Sequence, residues 1–140
     1  MPTELTNQGD FLLARFYGVV TVAELVQAAS ELEVVEDSIP TPMDRIIDLT
    51  AVERFEFGFS AVSFVASQRR VRRFSKSVKS ALIVSDPVQF GLARMFQTMN
   101  DNPQIEIQIL PSVAQARDWF AGKTKVDGPG GPSYENVALV

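Results

Sequence analysis

Ser80-Ala81-Leu82-Ile83-Val84-Ser85 runs straight into Asp86-Pro87-Val88-Gln89-Phe90-Gly91-Leu92-Ala93-Arg94-Met95-Phe96. The first six residues hold an unbroken apolar run of strand length. Such a run belongs to a strand buried on both faces, as in a parallel sheet. Asp86 is a good N-cap, and Pro87 has the fixed φ that suits the first helical position. Val88, Leu92, Met95, Phe96 and Met99 then recur at helical spacing. A buried strand feeding a capped amphipathic helix is the repeating unit of an α/β layer fold.

Downstream, Asn100 to Pro103 stops that helix. Ile105, Ile107 and Ile109 alternate with Glu106 and Gln108, which predicts an edge strand with one polar face. Ser112-Val113-Ala114-Gln115 reads as a capping box, with Val113, Ala116 and Phe120 facing inward and Gly122 as the stop. From Lys123 the chain has no periodic pattern and contains Gly128-Pro129-Gly130-Gly131-Pro132. The expected organisation is a domain over residues 1–122 and a flexible tail over 123–140.

Upstream, a helix is expected from about Ser60 to Phe74, preceded by an irregular segment from Ala51 to Phe59 in which Phe55, Phe57 and Phe59 alternate. Arg45 to Thr50 reads as a short strand, and Ser38 to Met43, with Pro40 and Pro42, as a loop. Thr21-Val22-Ala23-Glu24 is a capping box opening a helix with Val22, Leu25, Ala29 and Leu32 on one face. Phe11 to Val20 and Thr3 to Thr6 form an opening hairpin around Asn7-Gln8-Gly9-Asp10, where Gly9 can supply a positive φ.

Parallel strands joined by helices cross over with one hand. If successive strands are neighbours, the helices gather on one face of a mixed, mostly parallel five-stranded sheet. The other face then needs a partner subunit, a ligand or the tail, because bare apolar surface costs roughly 25 cal/mol per Å².

The 140 residues include no histidine and no cysteine. That excludes disulfide scaffolds, thiol nucleophiles, the usual zinc sites and imidazole-based triads. The net charge is −4, so general nucleic-acid binding is not expected. Six of the thirteen basic residues nevertheless fall together: Arg69, Arg70, Arg72, Arg73, Lys76 and Lys79. No basic leader and no run of spanning length appears in the sequence, so a cytoplasmic protein without a transmembrane segment is expected.

With Ile46-Ile47-Asp48-Leu49-Thr50 and Asp86 to Phe96 placed, the chain resembles the SpoIIAA-like proteins, relatives of the STAS domains of anti-sigma-factor antagonists. Their fold is close to that of CRAL-TRIO lipid-binding domains. The resemblance runs from about Thr3 to Gly122. It implies a right-handed strand–helix superhelix, no cofactor or metal, no catalysis, and a role in binding. In the antagonist branch a strand ending in Asp-Leu-Ser leads to an Asp-Ser-Ser segment whose serine is phosphorylated. Here Asp48-Leu49-Thr50 matches the strand end and Glu56 the acidic position. Phe57 and Gly58 occupy the hydroxyl positions, so the usual acceptor is missing, and Ser60, two residues later, is a candidate for a displaced one.

Other candidates come from the residues themselves. Asp48, Thr50, Ser85 and Asp86 are expected at the carboxyl ends of neighbouring strands, where open α/β sheets bind ligands. Each also has a local task available, in a turn or a cap. Phe55, Phe57, Phe59, Phe64 and Phe74 can line a pocket or an interface, or pack a loop onto the sheet. The basic run, Arg69, Arg70, Arg72 and Arg73 at its centre, suits an acidic partner or anionic lipid, or simply complements a helix C-terminus. Arg94 can reach an acid at the strand ends or lie solvated beside Gln97. The expectation is a non-catalytic STAS-like binding or regulatory module acting through protein contacts, with a second copy in a homodimer as the expected partner. The alternative is a carrier of a small apolar ligand or lipid, of CRAL-TRIO type, with the phenylalanines as the pocket wall. An enzyme relying on carboxylates alone is the third reading, and no pair of acids is singled out by spacing.

Overall fold

The computed structural model describes residues 3–123. The expected tail, beyond Lys123, lies outside the described residues. The elements are β1 (Thr3–Asn7), β2 (Phe11–Thr21), α1 (Val22–Ser38), β3 (Asp44–Glu56), α2 (Phe59–Arg70), β4 (Val78–Ile83), α3 (Pro87–Met99), β5 (Ile105–Leu110) and α4 (Val113–Phe120). They form one sheet in chain order, β1-β2-β3-β4-β5. β1 and β2 are antiparallel and the other neighbours parallel, the mixed arrangement expected.

The hairpin and the helix starts follow local chemistry. Gly9 has φ +96, and its N–H donates to Asn7 Oδ1 at 2.8 Å, closing the β1–β2 turn. Thr21 and Glu24 form a complete capping box at α1. Asp86 accepts from Gln89 N at 2.8 Å, with Pro87 opening α3. At α4 one half of the expected box is present: Ser112 Oγ accepts from Gln115 N at 3.1 Å.

Two boundaries differ from the sequence reading. The segment from Ala51, expected to be irregular, continues β3 to Glu56 and pairs with β2 as far as Thr21. The pattern is broken because β3 carries extra residues: Asp48 to Ala51 faces Arg15 to Tyr17, and Val52 to Arg54 faces Gly18 to Val19. Gly18, at φ +60, takes up the irregularity on β2. These bulges bring both Leu49 and Val52 to the same core face, three residues apart. Second, α2 ends at Arg70, short of Phe74. Buried Asn102 donates from Nδ2 to Arg69 O at 2.9 Å and to Arg72 O at 2.8 Å, satisfying carbonyls at the helix end.

The two faces are covered unequally. On the first, Phe16, Val20, Leu49, Leu82, Val84 and Ile109 meet Phe90 and Ala93 of α3, with Ala28 of α1 at the margin. Val62, Val65 and Ala66 bury the inner side of α2, and Val65 faces the same sheet surface beside Leu49 and Leu82. On the second face, Phe11, Ile46, Ala81, Ile83 and Leu110 pack against Ala116 and Trp119 of α4. Helices therefore lie mainly on one face, as expected, while α4 covers part of the face thought to need an outside partner.

Candidate functional site

α1 is a long helix that buries little. Of its seventeen residues, Ala29 and Glu36 alone are buried. Leu25 and Leu32, on its apolar stripe, are half-exposed. Beneath it lies a partly open cavity of about 130 Å³. Its wall is mostly apolar. Leu25, Ala28, Ala29 and Leu32 come from α1, Leu5, Ala14, Phe16, Ile47, Leu49 and Leu82 from the sheet, and Leu92 and Phe96 from α3. Close-packed interiors hold few voids larger than a water molecule, so a space of this size marks where packing is incomplete.

The wall is graded along the strands. Phe55 and Phe57, from the end of β3, form an aromatic edge pair with centroids 5.6 Å apart. At the opposite, amino end lie Arg45 and Ser80, which are register partners on β3 and β4, and Arg69 from the last turn of α2. Arg45 follows from strand alternation: it shares a face with Ile47 and Leu49.

Glu36 ties this polar end together. Its carboxylate accepts from Arg69 Nη1 at 3.0 Å and Nη2 at 2.6 Å, forms an ion pair with Arg45 Nη1, and takes Arg72 Nη2 at 3.3 Å. Arg72 Nη2 also reaches Asp37 at 2.9 Å. The Phe74 ring stands 5.6 Å from Arg45 and 5.7 Å from Arg72. Burial alone would raise the Glu36 pKa. The Arg69 hydrogen bonds and the charges of Arg45 and Arg69 outweigh it, so the group lies below the ordinary carboxylate range. Burial pushes Arg45 down, and the Glu36 charge opposes that shift.

The basic run is therefore not one surface patch. Arg69 is buried and Arg72 half-buried, both turned to Glu36. Lys79 donates to Trp119 O at 3.2 Å and faces its ring. Arg70, Arg73 and Lys76 remain exposed.

The other sequence candidates separate. Asp48 is buried in the middle of β3 rather than at its end. It accepts from Thr50 N at 2.9 Å, Thr50 Oγ1 at 2.7 Å and Arg15 Nε at 3.2 Å. Ser85 donates from N and Oγ to Gln89 Oε1, and Asp86 caps α3. Gln89 is buried and its Nε2 donates to Val52 O at 3.2 Å, joining the end of β4 to the bulged part of β3. These four candidates are held by local bonds, and Asp48 and Thr50 lie on the face opposite the cavity. Arg94 donates to Gln97 Oε1 at 2.6 Å. Glu56 pairs with Arg54 at 2.6 Å on the surface.

Phe57 lines the cavity, whereas Phe59 is 66% exposed and Ser60 beside it is also exposed. Gly58, the N-cap of α2, makes no side-chain cap bond. Val22 and Val88, at the starts of α1 and α3, are exposed as well. Topology puts these helix starts at the carboxyl end of the parallel strands, beyond the aromatic end of the cavity.

A solved structure from Shewanella loihica PV-4 matches this chain with a TM-score of 0.56 at 18% identity, covering 84% of this chain and 90% of that one. It is described as an uncharacterized protein from the DUF3478 family with a SpoIIAA-like fold. The fold is SpoIIAA-like. No protein-family model matches the sequence, and no curated protein does. Among the described residues, no helix of this SpoIIAA-like domain is long and apolar enough to cross a membrane.

Glu36, Arg45, Ser80 and Asn102 were missed as site or cap residues. Glu36 did carry a signal. The α1 stripe Leu25, Ala29, Leu32 continues at helical spacing to position 36, so a carboxylate stands where an apolar residue is due. A charge on an inward stripe is buried and needs a partner. Asn102 carried none, because its partners belong to a distant helix end.

Proposed function

We propose that the chain is a non-catalytic binding module whose ligand is a small apolar molecule held between the sheet and α1. The observation that carries this reading is the cavity of about 130 Å³ under a helix whose leucines are not fully buried. An apolar cavity of about 150 Å³ admits benzene, so the size suits a compact ligand and is too small for a long acyl chain. This supports a compact ligand over the long-chain form of the lipid-carrier alternative. Native mass spectrometry of protein purified without detergent tests it. Co-purified mass that Ala28→Phe abolishes is the expected result. Its consistent absence, with no uptake of added hexanol, counts against the reading.

The second reading is regulation through protein contacts, including a homodimer. It is favoured by Phe59 and Val88, 66% and 69% exposed at helix starts on the same end of the sheet. Exposed apolar groups at one end of a sheet suit an interface. Light scattering after size exclusion is expected to show a dimer that Phe59→Ser weakens. A monomer at high micromolar concentration contradicts the homodimer.

A further inference from the structure

We infer that the cavity binds an anionic amphiphile, a short-chain monocarboxylate whose head meets Arg45, Arg69 and Ser80 and whose chain points to Phe55 and Phe57. This rests on the ligand reading above and specifies the ligand's chemistry.

Three observations converge on the amino end of the cavity. The first is its polarity gradient. Arg45 and Ser80 are register partners across β3 and β4, while the Phe55–Phe57 pair lies at the far end of β3. A ligand lying along the strands meets cations at one end and aromatic rings at the other.

The second is charge. Arg45 and Arg69 are both buried and both on the cavity wall, and the carboxylate that bonds them is the single group of Glu36. Arg72 and Asp37 add one charge of each sign. Asp44 acts on Arg45 at longer range, with its Oδ1 accepting from Lys79 N at 2.8 Å. Glu31 is the carboxylate on the wall itself, and it accepts from Gln27 in an exposed bond at 3.0 Å. The two buried guanidiniums stand at one end of the wall, where Arg45 also donates from Nε and Nη2 to Met43 O. An anionic head at that end meets cations at close range, a cationic head is repelled by them, and a neutral head gains less from them.

The third is Ser80. Its residue is 7% exposed and it lines the cavity. A hydroxyl placed beside two guanidiniums can donate a further hydrogen bond to a carboxylate head. The volume sets the length at about six carbons, by comparison with the roughly 150 Å³ space that holds benzene.

The test compares hexanoate, hexanol and hexylammonium by calorimetry on the full chain at pH 7. Hexanoate is expected to bind about tenfold more tightly than hexanol, the difference between a charge-assisted and a neutral hydrogen bond. Hexylammonium is expected to bind weakest. Arg69→Met should bring hexanoate down to the hexanol affinity. Ser80→Ala, which removes one hydroxyl and keeps the ion cluster, should weaken hexanoate about threefold and leave hexanol unchanged. Equal binding of hexanol and hexanoate overturns the head-group assignment and leaves the cavity reading standing. Failure of all three probes at millimolar concentration overturns both.

Discussion

The two faces of the sheet are packed by opposite means. α4 is eight residues long, yet Ala116 and Trp119 are buried against Ile46, Ala81 and Ile83. α1 is twice that length and buries an alanine and a glutamate. The short helix is held by close apolar contact. The long one is anchored by its N-terminal capping box and, at the other end, by Glu36 in the grasp of three arginines. Helix length and a regular apolar stripe therefore do not measure how firmly a helix is seated. A face left hollow needs polar anchors at its ends, and those anchors become the walls of the hollow.

Glu36→Gln attacks the polar anchor. It leaves Arg45 and Arg69 buried without their carboxylate, and a loss of about 3–5 kcal/mol in urea unfolding is expected. A loss below about 1 kcal/mol would mean the ion cluster does not hold α1. Trp119→Ala attacks the apolar anchor on the other face, with an expected loss of about 3–5 kcal/mol. Leu25→Ala, on the hollow face, is expected to cost only about 1 kcal/mol, since the side chain is only partly buried and borders a cavity. Similar losses for Trp119→Ala and Leu25→Ala would erase the contrast.

Acid sharpens the same comparison. The Glu36 pKa is lowered in the folded state, so the unfolded chain binds the proton first as pH falls. The stability it contributes is full above the unfolded value of about 4.5 and is lost as pH falls through the lower folded value. Urea midpoints should fall over that window in the parent and change less in Glu36→Gln. The smallest effect is a gain. Ala28→Leu adds apolar volume to the cavity and is expected to raise stability by about 0.5–1 kcal/mol while weakening hexanol binding.

Much of the fold was legible because it rests on local chemistry. Asp86-Pro87, Thr21 with Glu24, and Gly9 each act on their own neighbours, and each marks a boundary the structure keeps. Strand order was legible for a related reason, since consecutive βα units tend to lie side by side. The continuation of β3 was not, because its bulges break the period-two pattern that identifies a strand. The site was half legible. Phe55 and Phe57 were singled out and do line the cavity, but Phe59 and Phe64 face outward. The cluster of arginines was visible as a run, while its division into Arg69 and Arg72 inside and Arg70 and Arg73 outside depends on Glu36, thirty-three residues from Arg69. Ser60 stands exposed beside Phe59.

Methyl-resolved NMR during a hexanol titration tests the hollow face most directly. Methyls of Ile47, Leu49 and Leu82, on the cavity wall, should shift and saturate together, while those of Ile46, Ile83 and Leu110 under α4 stay fixed. Unchanged spectra on both sides, or shifts of equal size on both, would contradict it.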